Sequence, residues 1–269
     1  EPNTQVFPMN SGLSSRDLLP ISALGQTTVY CYRLMKGNPA EMEVESTDVG
    51  HNIRRVQRCI ATAAQKAGRS PADITVIGVT KTVGPSHIQE AFAAGISHFG
   101  ENRVQVAKSK ITQIATFQLQ PPPVWHMVGH LQTNKAKTAV ELFDVVHSVD
   151  SIRLAEAVSE HAQRAIPILI QVNVSGEASK FGFAPEEVGA ALAQIARFPR
   201  LEIKGLMTIA PYTSEPEDIR PFFRDLRLLN DSLGLEHLSM GMTDDFEVAI
   251  EEGATMVRIG RAIFGEREG

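Results

Sequence analysis

ITVIGVTKTVGPSHIQ, residues 74–89, decides how this chain is read. An apolar, β-branched run ends at Thr80 and then Lys81, before the turn residues Gly84 and Pro85 and the start of a helical spacing. Such a run fits a strand buried on both faces, as in parallel sheets covered by helices. Downstream, short apolar runs at 97–100, 124–129, 144–148, 166–174, 201–209, 237–240 and 255–259 repeat the theme of 74–80. Between them a 3.6-residue period predicts helices at about 86–95, 102–115, 132–142, 151–164, 185–197, 216–233 and 244–252. Upstream, apolar residues at 49, 53, 56, 60, 63, 64 and 67 predict an amphipathic helix closed by Gly68 and Pro71.

Eight strands alternating with helices predict an α/β fold, a (β/α)8 TIM-like barrel. The rival is an open doubly wound sheet. It would carry a G-x-G-x-x-G after an early strand, and none is present. The barrel domain is expected over residues 43–269. Residues 1–42 scatter Ser, Pro and Gly with no sustained period, and they lack the basic start and apolar middle of a secretory signal. They are expected to be an irregular extension.

Of the 269 residues, 43% are hydrophobic and 21% charged, enough apolar content for a sizeable core. A net charge of −5 without a basic run argues against nucleic acid and anionic membrane surfaces as partners. No apolar stretch approaches the ~20 residues of a membrane span. The two cysteines, Cys31 and Cys59, have neither disulfide-framework nor zinc spacing and suit a reducing, cytoplasmic setting.

Nearly every strand ends in polar or turn residues: VTK, FGEN, GHLQTN, HSVD, VNVSGEASK, TIAP, SMGMT, RIGR. In a barrel these ends converge on one face, where active sites are built. There Lys81 is expected to place its amine in a partly dry mouth, where loss of hydration disfavours the ammonium form and leaves a nucleophile for carbonyls. GVTKT is not a P-loop, because the glycines of G-x-x-x-x-G-K-[ST] are missing. The ends of strands seven and eight supply hydroxyls at Ser239 and Thr243, a helix start near Asp244, then Arg258 and Gly260. Loops after strands seven and eight often cradle a phosphate, and Gly260 lets the backbone approach phosphate oxygens without a Cβ. A carbonyl-reactive lysine opposite a phosphate cradle fits pyridoxal 5′-phosphate. His126 and His130 in WHMVGH lack partners at metal-ligand spacing, so no metal site is expected.

VTKT, HFGENRVQ, WHMVGHLQTNK, VNVSGEASKFGF, GLMTIAP and LSMGMTDDFEVAIEEGATMVRIGRAIFG together resemble the pyridoxal phosphate homeostasis proteins of the YggS type, from about residue 48 to 267. That family resembles the barrel domain of alanine racemase, a fold-type III pyridoxal phosphate fold, and no second β domain is expected here. The resemblance implies Lys81 as the aldimine lysine and Asn102 beside the cofactor. It implies Ser239, Met240, Thr243 and the amides of Gly260 and Arg261 around the phosphate, and Arg258 near the pyridine nitrogen. His126 is expected at the barrel mouth, by resemblance near the cofactor. Lys180 lies in a glycine-bounded loop after strand five, where a solvated lysine and a residue that hands the cofactor on are equally open readings. An arginine against the pyridine nitrogen keeps that nitrogen unprotonated and weakens carbanion stabilisation. Position 261 often carries a small hydroxyl residue in the family, so Arg261 is a departure.

Three readings are set side by side. An amino-acid racemase or decarboxylase needs a second domain and a catalytic tyrosine. The sequence runs out just after the eighth strand, and its tyrosines are Tyr30, Tyr32 and Tyr212. A class I aldolase uses the lysine on substrate directly and would be colourless. The favoured reading is a monomeric pyridoxal phosphate carrier that buffers the aldehyde and delivers it to apo-enzymes, without a dedicated reaction.

Overall fold

The computed structural model describes residues 48–265 as a closed barrel of eight parallel strands, hydrogen-bonded in chain order with the eighth against the first. The strands are β1 (Thr75–Val79), β2 (His98–Glu101), β3 (Val124–Met127), β4 (Val145–Val149), β5 (Ile166–Gln171), β6 (Leu201–Met207), β7 (His237–Ser239) and β8 (Met256–Ile259). Helix α1 (Val49–Lys66) precedes them. The helices α2 (Pro85–Ala93), α3 (Val104–Ala115), α4 (Ala136–Leu142), α5 (Ile152–His161), α6 (Val188–Ile195), α7 (Arg220–Ser232), α8 (Phe246–Glu251) and α9 (Arg261–Phe264) follow the strands in turn. All eight expected strands form the expected barrel. The extension expected at 1–42, with Tyr30, Tyr32 and Cys31, lies outside the described residues. Among the described residues no helix is long and apolar enough to cross a membrane.

Helix α1 starts where the Asp48 carboxylate accepts the His51 N–H at 3.1 Å and ends before Gly68, whose φ of 65° suits a residue without Cβ. Its apolar stripe, including Val49, Ile53, Val56 and Ile60, is buried against α2, α8 and α9. Arg69, just past the helix, donates to the carbonyls of Ile250 and Ala254 and ties that end to α8.

Alternate residues of a strand share a face, and this sorts the core into two layers. Ile77 of β1, Leu169 of β5, Met207 of β6 and Met256 of β8 form a separate plug inside the barrel. The outward residues, such as Phe99 and Val146, pack under the helices in one continuous cluster. Each fully buried side chain of this size contributes about 1.5–3 kcal/mol relative to leaving it in water.

Three helices expected as single runs instead open with 3₁₀ turns, at Thr133–Lys135, Pro185–Glu187 and Pro216–Ile219. In two of them a proline, which has no N–H, stands in the first position. The fifth strand, expected to reach 174, stops at Gln171. There the chain folds back, with Phe183 N–H donating to Gln171 O and Asn173 N–H to Phe183 O.

Candidate functional site

The inward rows predict the site. Extended past the plug, the β1 row Ile77–Val79 reaches Lys81, the β2 row reaches Asn102, and the β8 row Met256–Arg258 reaches Gly260. These residues, with Thr243 and Arg261, line one cavity of about 580 Å³ at the C-terminal mouth. Six of the nine residues expected at the site therefore meet there. Three do not. Met240 sits on the outward row of its segment, buried in the outer core with its N–H given to Met256 O. Ser239 and His126 face inward but lie one layer deeper, bonded to other side chains. His126 is thus an interior residue rather than one of the mouth.

Lys81 is exposed, which corrects the expectation of a partly dry amine. The strand ends at Val79, and the lysine leaves from the turn beyond Thr80, above the plug. Arg258 is the opposite case, only 4% exposed. It donates from Nη1 to Ser239 Oγ at 2.6 Å and from Nη2 to the Thr208 carbonyl at 2.7 Å. Burial pulls its pKa down to about 10, partly countered by Asp245. Burial likewise pushes the half-buried Asp245 up to about 6, against its bond from the Met242 N–H and the pull of Arg258. The Thr243 hydroxyl oxygen accepts the Ala262 N–H at 3.4 Å, which leaves its own proton for a ligand. Arg261, the departure noted in the sequence, turns its guanidinium onto Asp244 at 2.5 and 2.6 Å.

A neighbouring cavity of about 670 Å³ shares Thr243, Asp244 and Arg261 with the first and holds Lys180 and Tyr212. Lys180 pairs with Glu177 at 2.8 Å, and that bond holds the glutamate below its usual range. His130 lies beyond the end of β3, bonded to Asp150 at 3.0 Å and stacked on Phe181.

The chain matches the family described as alanine racemase, N-terminal domain, over residues 46–268. It is 44% identical over 225 residues to a pyridoxal phosphate homeostasis protein of Pseudomonas aeruginosa, covering 82% of this chain and 96% of that one. The Aquifex aeolicus protein of the same name is 42% identical over 225 residues, covering 80% and 97%. This chain belongs to the pyridoxal phosphate homeostasis protein family. Among solved structures, PipY of Synechococcus elongatus with pyridoxal phosphate bound is similar at 36% identity and a TM-score of 0.67, covering 77% of this chain and all of that one. An alanine racemase of Corynebacterium glutamicum, 19% identical with a TM-score of 0.56, shares the fold over 61% of its length.

In this homeostasis-family barrel a string of side chains runs beneath Arg258, and two of its members, His98 and His147, were not expected from the sequence. His98 Nδ1 meets His126 Nε2 at 2.9 Å, His126 Nδ1 meets His147 Nε2 at 2.8 Å, and His147 Nδ1 meets Ser239 Oγ at 2.9 Å. Because Arg258 only donates, the Ser239 hydroxyl must pass its proton toward His147 to avoid an unsatisfied buried O–H. We therefore assign Nε2–H to His147 and to His126, so that every bond in the string points from Arg258 toward His98.

All three rings are neutral. Burial is the first cause of each depression: His98 is lowered, His126 is lowered to about 3, and His147 is lowered well below its ordinary value. Unfolded histidine titrates near about 6.5, so below that pH the unfolded chain binds more protons and stability falls with pH. Asp245, raised to about 6, acts in the opposite sense between its ordinary value and 6 and offsets one proton. The coupled His126–His147 pair outweighs it. By pH 5, His126 alone removes about 2 kcal/mol. The thermal midpoint of the ligand-free protein is therefore expected to drop between pH 7 and pH 5, and a flat profile would contradict neutral burial of the rings.

Proposed function

We propose that this protein holds pyridoxal 5′-phosphate reversibly on Lys81 and serves intracellular pyridoxal phosphate homeostasis without a dedicated reaction of its own. The observation that carries this reading is one cavity that joins an accessible primary amine, a desolvated guanidinium and the bare backbone of Gly260. The relatives named above, and PipY with the cofactor bound, point the same way.

The residues present fit the cofactor. A Cβ on Gly260 would lie 3.4 Å from Val79 O and 3.6 Å from Val79 Cβ, ordinary contact, and its φ of −109° needs no glycine. The fold itself therefore tolerates a side chain there, and a ligand pressed against the backbone supplies the reason for its absence. Lys81 would hold the aldehyde carbon, Arg258 would face the ring nitrogen, and Asn102 would flank the ring. The Thr243 hydroxyl and the Gly260 and Arg261 amides would hold the phosphate. When bound, the cofactor supplies a carbonyl that condenses reversibly with amines.

The titratable residues on this cavity's wall are Lys81, Asp244, Arg258 and Arg261, with Asp244 tied to Arg261. Among the described residues no tyrosine lines it, and Tyr212, 95% exposed, belongs to the neighbouring cavity. A second proton-transfer group facing Lys81 is missing from the described wall, which favours carrying over racemisation. The exposed lysine suits exchange with apo-enzymes in the cytoplasm. Described residues of one chain bring Lys81, Arg258, Thr243 and Gly260 together on one wall, so a monomer suffices, and light scattering should report the mass of a single chain.

The test is borohydride reduction after loading with pyridoxal phosphate, followed by peptide mapping. One adduct on the Lys81 peptide is expected. Adducts centred on Lys180, or spread over surface lysines, would overturn the assignment.

A further inference from the structure

Thr80 stands between the end of β1 and Lys81, fully buried, with all of its polar groups held. Its N–H donates to Gly100 O at 2.9 Å, its hydroxyl donates to Glu101 Oε1 at 2.6 Å, and its carbonyl accepts from Lys110 Nζ. Lys110, on α3, closes the triangle by donating to the same Glu101 oxygen at 2.5 Å. Glu101 is 1% exposed and Lys110 8%.

A buried ion pair is a poor device for stability alone. Stripping both ions of water costs free energy that their attraction repays only with good geometry, and an apolar pair of similar volume is often as stable or more so. Glu101 Oε2 is moreover buried without a hydrogen-bond partner among the described residues. What an apolar pair cannot supply is direction. The ammonium and carboxylate grip the carbonyl and the hydroxyl of one residue and so fix the rotation of the peptide from which Lys81 departs. Glu101 also immediately precedes Asn102, so the same pair braces two wall residues just past the ends of adjacent strands.

We infer that Glu101 and Lys110 are positioning residues: their ion pair, acting through Thr80, aims Lys81 into the cavity that holds Arg258 and Gly260. The inference rests on Lys81 being the attachment amine proposed above. It requires no contact between the pair and the cofactor.

The test compares the parent, the double variant Glu101→Gln with Lys110→Met, and Thr80→Val. The double variant removes both charges together and strands neither. Thr80→Val keeps the pair and removes only the hydroxyl that couples it to β1. The readouts are the rate of pyridoxal phosphate capture in the visible band and the circular dichroism of that band, taken well below the unfolding midpoint. A loss of global stability alone moves neither. Capture slowed by about tenfold or more in the double variant, with altered band dichroism and Thr80→Val between it and the parent, is the expected result. A folded double variant with the parent's rate and dichroism overturns the inference. Should the double variant not fold, Thr80→Val decides in the same way, parental behaviour overturning the inference and slowed capture with changed dichroism supporting it. A parent without any Lys81 linkage would bring down the proposed function and this inference together, whereas unaltered variants of a parent that does link bring down the inference alone.

Discussion

Lys81→Ala is expected to abolish the visible absorbance that the protein acquires with pyridoxal phosphate, and to lower retained cofactor by more than about tenfold, a loss above about 1.4 kcal/mol. Lys81 continues the inward row of β1 and, among the described residues, is the only lysine on the wall of the cavity that also holds Arg258 and Gly260. Lys180 opens on the adjoining cavity and is engaged by Glu177. A positioned amine outperforms free surface lysines by orders of magnitude in effective concentration, so removing it leaves only weak, unselective condensation. Truncating an exposed side chain should leave the thermal midpoint of the ligand-free protein nearly unchanged. A persisting band of the parent's intensity would show that another amine holds the cofactor.

The largest effect on folding is expected from Gly205→Ala. Gly205 of β6 pairs in register with His237 of β7, and a Cβ there would fall 1.8 Å from the His237 carbonyl oxygen and 2.6 Å from its carbon. Those atoms are backbone within the barrel wall, so relief requires two strands to separate. The expected cost is about 3 kcal/mol or more, at the upper end of overpacking effects. Gly189→Ala is the control. It lies on the exposed side of α6 with nothing within 4 Å of a new Cβ, and it should stabilise by about 0.5–1 kcal/mol. Equal thermal midpoints for the two variants would contradict the close approach of β6 and β7.

The barrel was legible because each strand is an apolar run broken by turn residues, and eight such breaks separate helical periods. Lys81 and Gly260 were legible for the same reason, since both sit just past a run. The finer placement of the site was not, because the sequence reading did not follow the two-residue alternation beyond each strand end. That alternation separates Met240, which faces outward, from Ser239, which faces inward, although a cluster of motif residues treats them alike. Depth also escaped it. His126 and Val128 share a row, yet only Val128 reaches the cavity. The brace of Glu101 and Lys110 was invisible because a carboxylate at a strand end and a lysine in the following helix show no sign of meeting until Thr80 of the β1 end is packed against both. His98 and His147 gave the faintest signal, single polar residues inside apolar runs.

The guanidinium at the base of the mouth has a consequence for whatever enters. Its hydration has already been surrendered to the fold, and its nearest supports are a neutral hydroxyl and a peptide carbonyl. An incoming electron-rich ring or anion therefore meets a largely dehydrated positive centre, its charge only partly balanced by Asp245. Folding has met in advance a penalty that recognition would otherwise carry, so ligands should raise the melting temperature in proportion to the negative charge they bring to that spot.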